Sequence, residues 1–135
     1  MKIRKLLLPI MILSLALTVW ADKKFQFTNS SSNPAAAGHV TVGKDHNGNY
    51  EFDVHVFHLA DPAAMTPAKS VYVVWAQENG KPADNMGQLQ VNHDLEGTFH
   101  GVTPYKDFDM FITAEDNAKA EAPSGMEILR TQVKH

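Results

Sequence analysis

The sequence predicts an all-β fold, an antiparallel sandwich of seven to eight short strands behind an N-terminal signal peptide. Three observations point to it. Apolar residues alternate with polar ones in short runs, the two-fold period of strands with one buried face. Clusters of Gly, Pro, Asn and Asp separate these runs at spacings of roughly 8 to 12 residues. No stretch beyond residue 21 keeps a helical period.

The first element is not part of that fold. Met1-Lys2-Ile3-Arg4-Lys5 is a basic start and Leu6 to Trp20 an apolar run of 15 residues, short of the roughly 20 that span a bilayer as a helix. Val19-Trp20-Ala21 offers a signal-peptidase site, and Asp22-Lys23-Lys24 a polar mature start. Cleavage after Ala21 is the expectation. The alternative is an uncleaved signal anchor with the domain outside, the sole membrane contact expected. Either way the protein is read as periplasmic or secreted, divided into a signal peptide (1–21), a short first strand and polar linker (22–37) and a sandwich (38–135).

Along the mature chain, Lys24 to Thr28 places Phe25 and Phe27 on one side of a first strand. Asn29 to Ala37 is polar and small, a linker without amphipathic period. Gly38 to Gly43 sets Val40 and Val42 against His39 and Thr41, and Asn47-Gly48 marks a hairpin, both residues tolerating the positive φ of a tight primed turn. Asn49 to Leu59 is the clearest strand, with Tyr50, Phe52, Val54 and Val56 on one parity and Glu51, Asp53 and His55 on the other. Pro62 and Pro67 mark a crossing loop, because proline cannot donate to a ladder.

Val71 to Trp75 is a continuous run of β-formers, the pattern of a strand covered on both faces. Glu78 to Pro82 turns, and Gly87 to Asn92 alternates again about Leu89 and Val91. After the Asp94 to Gly97 turn, Thr98 to Val102 and Phe108 to Ala114 give two more strands. Asp116 to Gly125 reads as a loop. Met126 to Val133 is the last strand, alternating Met126, Ile128 and Arg130 against Glu127, Leu129, Thr131 and Val133.

Composition narrows the function classes. The chain has 135 residues, 44% hydrophobic and 20% charged, which fits one domain. Removing Lys2, Arg4 and Lys5 from the twelve basic residues leaves nine against fifteen acidic, formally −6. That balance argues against nucleic acid as a partner. A mature chain of this size buries roughly 65% of its unfolded surface and folds without a metal or disulfide. The absence of cysteine rules out a thiol nucleophile, a thiolate metal site and a lipidated bacterial N-terminus.

Seven histidines, all beyond residue 21, make metal binding the first chemical question. His55 and His58, three apart, fall on opposite faces of a strand, although the same spacing would pair them on a helix. Either His93 or His100 could meet His55 across a sheet, but nothing in the sequence fixes the register, and surface or loop positions are the favoured alternative. A blue-copper centre needs a thiolate and is excluded. No serine stands in a Gly-x-Ser-x-Gly elbow, and adjacent acids such as Asp107 with Asp109 read as solvated strand ends. No catalytic residues and no cofactor are therefore assigned. Aromatic anchors for a ligand are sought instead among Phe57, on the wet parity beside His55, and Tyr72 and Trp75, on opposite parities of their strand. For the last two, filling both faces of a buried strand is the favoured alternative.

Five segments carry a family likeness. These are Val71-Tyr72-Val73-Val74-Trp75, Asn79-Gly80-Lys81-Pro82, Met86-Gly87-Gln88-Leu89, Phe108-Asp109-Met110-Phe111-Ile112-Thr113-Ala114-Glu115 and Pro123-Ser124-Gly125. Together, over roughly Ser70 to Thr131, they resemble the extracytoplasmic domain of anti-sigma-K factors. The resemblance implies an immunoglobulin-like sandwich outside the membrane and assigns no catalytic residues. Family members place a sigma-binding domain before a membrane helix. Here a signal-like segment precedes the β domain, so sigma-factor binding is not carried over. The leading expectation is a noncatalytic exported module that binds a protein or a cell-envelope component. The alternative is a periplasmic copper or zinc binder using His55, His58, His93 and His100.

Overall fold

The computed structural model describes residues 22–30 and 32–135, so the signal segment and its cleavage point lie outside the described residues. The strands are β1 (Lys23–Gln26), β2 (Thr28–Asn29), β3 (Ala37–Lys44), β4 (Tyr50–Phe57), β5 (Val71–Gln77), β6 (Asp84–Gln88), β7 (Gln90–Val91), β8 (Gly97–Thr103), β9 (Phe108–Glu115) and β10 (Glu127–Val133). They form two five-stranded antiparallel sheets, β1-β3-β4-β8-β7 and β2-β10-β9-β5-β6. The run β3-β4-β8-β7 facing β5, β9 and β10 is the ABED and CFG arrangement of immunoglobulin-like sandwiches.

The strand count is ten, above the seven to eight expected, because two strands change sheets midway. The first crosses between β1 and β2 at Phe27, and the other between β6 and β7 at Leu89, which is fully buried. Each crossing strand borders both sheets, so the open edges of the sandwich are bridged rather than left as pairing templates. The expected single strand Gly87–Asn92 is therefore split, and the part that joins β5 begins earlier, at Asp84. A bulge between Val74 and Trp75 and the φ of 135° at Gly87 accompany that crossing. The described residues among 22–37 likewise pack into the sandwich through β1, β2 and Ala36. The amide of Ser30 donates to Ile128 O at 2.9 Å, and Ala36 is buried in the core.

The hairpin at Asn47-Gly48 forms, but not as a primed two-residue turn. Only Gly48 takes a positive φ, 81°. The loop runs from 45 to 49, held by Asp45 Oδ1, which accepts from the amides of Asn47 and Asn49, both at 2.8 Å. Its length sets the register of the whole ladder, Lys44 opposite Tyr50 and thus His39 opposite His55. Near the far end Gly38 lies so close to β4 that a Cβ there would stand 2.4 Å from the carbonyl oxygen of His55.

The main core lies between the sheets, with Val40, Val42, Phe52, Val54 and Val56 from one facing Tyr72, Val74, Met110, Ile112 and Leu129 from the other. In β10 the expected alternation slips. Ile128 and Leu129 are both buried because the register shifts between Glu127 and Leu129, and a bulge of this kind turns two successive side chains inward. β5 and β9 are buried on both faces. On the outer side of their sheet Val73, Trp75 and Phe111 form a second small core, against which Val71, Ala83 and Ala120 pack.

Candidate functional site: the uncovered sheet face

The two outward faces of the sandwich differ in kind. Over the β5-β9 face the chain's own segment 116–125 is clamped down. The Trp75 indole N–H donates to Thr113 Oγ1 at 2.8 Å, and the Thr113 hydroxyl donates to Glu115 Oε2 at 2.6 Å. The Ser124 amide donates to both Glu115 oxygens at 3.1 and 3.0 Å, and the Ser124 hydroxyl to Ala114 O at 3.1 Å. From the neighbouring strand β6 Asn85 Nδ2 donates to the carbonyls of Ala118 and Ala120, each at 2.9 Å. The Arg130 guanidinium sits 4.3 Å over the Phe111 ring and is held by Glu127 and Asp109 at 2.6 and 3.0 Å.

These contacts correct two of the expected ligand anchors. Trp75 is 0% exposed under that cover and Tyr72 is 1% exposed in the inner core, so neither ring is presented to a ligand. Each fills one face of a strand buried on both sides. The Tyr72 hydroxyl donates to Ala60 O at 2.6 Å. Burial, and secondly the charge of Asp61, pushes its pKa up to about 12.

The opposite outward face, on β3, β4 and β8, carries His39, His55 and His100. His39 and His55 are directly opposed, with ring centroids 6.0 Å apart and planes at 64°. Phe57, the third expected anchor, is half-buried with its ring 4.4 Å from His55. Glu96 Oε2 stands 4.0 Å from His55 Nε2. Two residues along β4, His100 lies opposite Asp53, with its Nδ1 2.8 Å from Asp53 Oδ1 and its Nε2 3.1 Å from Glu51 Oε1. Val102, opposite Glu51, is exposed on the same face. Among the described residues the exposed large apolar side chains are Val91, Leu95 and Val102, all on this sheet or its β7–β8 turn.

The four histidines expected to gather do not. His58 lies just beyond β4 at φ 58°, exposed. His93 is in the β7–β8 turn with its side chain 92% exposed, 3.7 Å from Asp94. His100 meets Asp53 and Glu51 rather than His55, because the β4–β8 register sets Thr98 opposite His55. No three His, Asp or Glu side chains among the described residues are grouped so as to hold a metal. The partner of His55 is His39, which the sequence reading passed over, although its parity opposite Val40 and Val42 already placed it on the wet face.

Two of these histidines have displaced pKa values in opposite directions. His39 is lowered, first by burial and then by the charges of Lys24 and His55. His100 is raised, chiefly by its hydrogen bond to Asp53, which outweighs the opposing desolvation and is assisted by the charges of Asp53 and Glu51. A raised pKa means that the stability contributed by His100 is complete below its ordinary value of 6.5 and is lost as pH rises through the folded-state value. The group is well exposed, so solvent screening holds this to below about 1 kcal/mol. The stability difference between wild type and His100→Gln, measured by urea denaturation, is expected to be larger at about pH 5 than at about pH 8. An equal difference at both would show that the Glu51–His100–Asp53 contacts do not persist in solution.

Comparison of the chain with protein-family models, with curated proteins and with solved structures gives no match. Within the fold, Thr113-x-Glu115 and Pro123-Ser124-Gly125 build the clamp that holds segment 116–125 down.

Proposed function

We propose that this protein is an exported, noncatalytic β-sandwich that binds a protein or cell-envelope component through the outward face of β3, β4 and β8. One observation carries the reading. One sheet is covered by the chain's own loop, whereas the other leaves Phe57, His55 and Val102 among acidic groups without such a cover. Aromatic and aliphatic side chains ringed by polar groups form the usual centre of a protein-binding patch. Export rests on the basic and apolar start of the chain. The motif likeness supports a kinship with the extracytoplasmic domain of anti-sigma-K factors, but a shared sandwich does not itself assign a partner.

The test is site-specific photo-crosslinking in living cells. A photoreactive residue at position 57 is expected to give one discrete adduct that the same residue at position 132, on the other sheet, does not. Equal adducts at both positions, or none at 57, would refute the binding face. Recovery of the protein in the cytosolic fraction would refute export.

A further inference from the structure

We infer that His39 and His55 form a two-imidazole site for a divalent transition metal of the zinc or copper class. The pair goes beyond the binding face described above, since it requires no macromolecular partner. Two imidazoles bound through nitrogen to one tetrahedral ion at about 2.0–2.1 Å hold their ring centroids roughly 5 Å apart. His39 and His55 stand 6.0 Å apart before any ion is bound, so a small rotation of the side chains closes the gap. The spacing is backed by the backbone. The two residues are directly paired in the β3–β4 ladder, and the close approach at Gly38 packs that end of the ladder tightly. Both side chains are half-buried, which limits the rotamer freedom lost on binding.

The neighbouring charges are of both signs, with Lys24 opposite Thr41 two residues along β3, Glu96 4.0 Å from His55 Nε2 and Asp53 two residues before His55 on the same face. His100 is a contrasting case on the same face, because its two ring nitrogens already face Asp53 and Glu51 from opposite sides. The remaining coordination positions of an ion between His39 and His55 are open to water or to a donor from another molecule. The donor set is imidazole, which selects zinc and copper over magnesium and calcium.

The experiment uses Zn2+ alone, titrated calorimetrically into the purified protein, with Cu2+ line broadening in NMR spectra to locate the ion. One Zn2+ per chain is expected, with the ring signals of His39 and His55 broadening before those of His93, His100 and His135. His39→Gln and His55→Gln should each weaken binding at least tenfold, whereas His100→Gln should leave it unchanged. Amide spectra of the variants check that the sheet is intact. Undiminished binding by both His39→Gln and His55→Gln would overturn the site. So would first broadening at another histidine, or no heat on Zn2+ addition.

Discussion

Trp75→Ala is expected to lower the unfolding free energy by about 4 kcal/mol, the usual loss when a large buried ring is deleted. The indole is fully buried, stacked on Phe111 at 6.3 Å between centroids and at 14°, and donates its only N–H to Thr113. The substitution removes packing on the outer face of β5 and leaves Phe111 and Ala120 beside a cavity. Urea unfolding followed by far-UV circular dichroism measures the loss. Fluorescence serves only the wild type, because Trp75 is the sole tryptophan after residue 21. A loss under about 1 kcal/mol would mean that the ring does not hold the outer core together.

Glu115→Ala is expected to cost about 3 kcal/mol, although it removes no apolar surface to speak of. Glu115 is 3% exposed, and its carboxylate accepts from the Thr113 hydroxyl and the Ser124 amide. Its removal leaves the buried Thr113 hydroxyl without its acceptor and releases the exposed Ser124 amide, and the stranded buried donor costs more than the net worth of its bond. Glu115→Gln should fall between. Thr113 Oγ1 already accepts from Trp75, so a Gln amide turned toward it would bring a second donor and leave the hydroxyl proton without an acceptor. Hydrogen exchange of the Ser124 amide should accelerate in both variants. The two substitutions share Thr113, so their costs should not add, and a Trp75→Ala, Glu115→Ala double-mutant cycle would show coupling. Unchanged exchange at Ser124 in Glu115→Ala would remove the clamp from this picture.

The site was legible in part. His55 and Phe57 were placed on the wet side of β4 by alternation alone, and both lie on the uncovered face. His39 was equally readable by parity, yet its pairing depended on the hairpin. A two-residue turn at Asn47-Gly48 would set 46 opposite 49 and hence His39 opposite Val56, a solvent-facing residue against a core residue. The five-residue loop held by Asp45 restores agreement between the faces and brings His39 to His55. The burial of both Tyr72 and Trp75 was an open alternative in the sequence. Its outcome depended on the loop 116–125, whose anchors, Asn85 and Glu115, come from separate strands.

By itself the sequence determined the class of the fold and the location of most strands, because period-two alternation and apolar runs are written in consecutive residues. The tertiary structure alone decided where the edge strands change sheets, which outward face the chain covers, and which histidines meet. Those depend on contacts between residues far apart in the chain. A local pattern can assign a side chain to a face, but register and the packing of distant segments choose its neighbours.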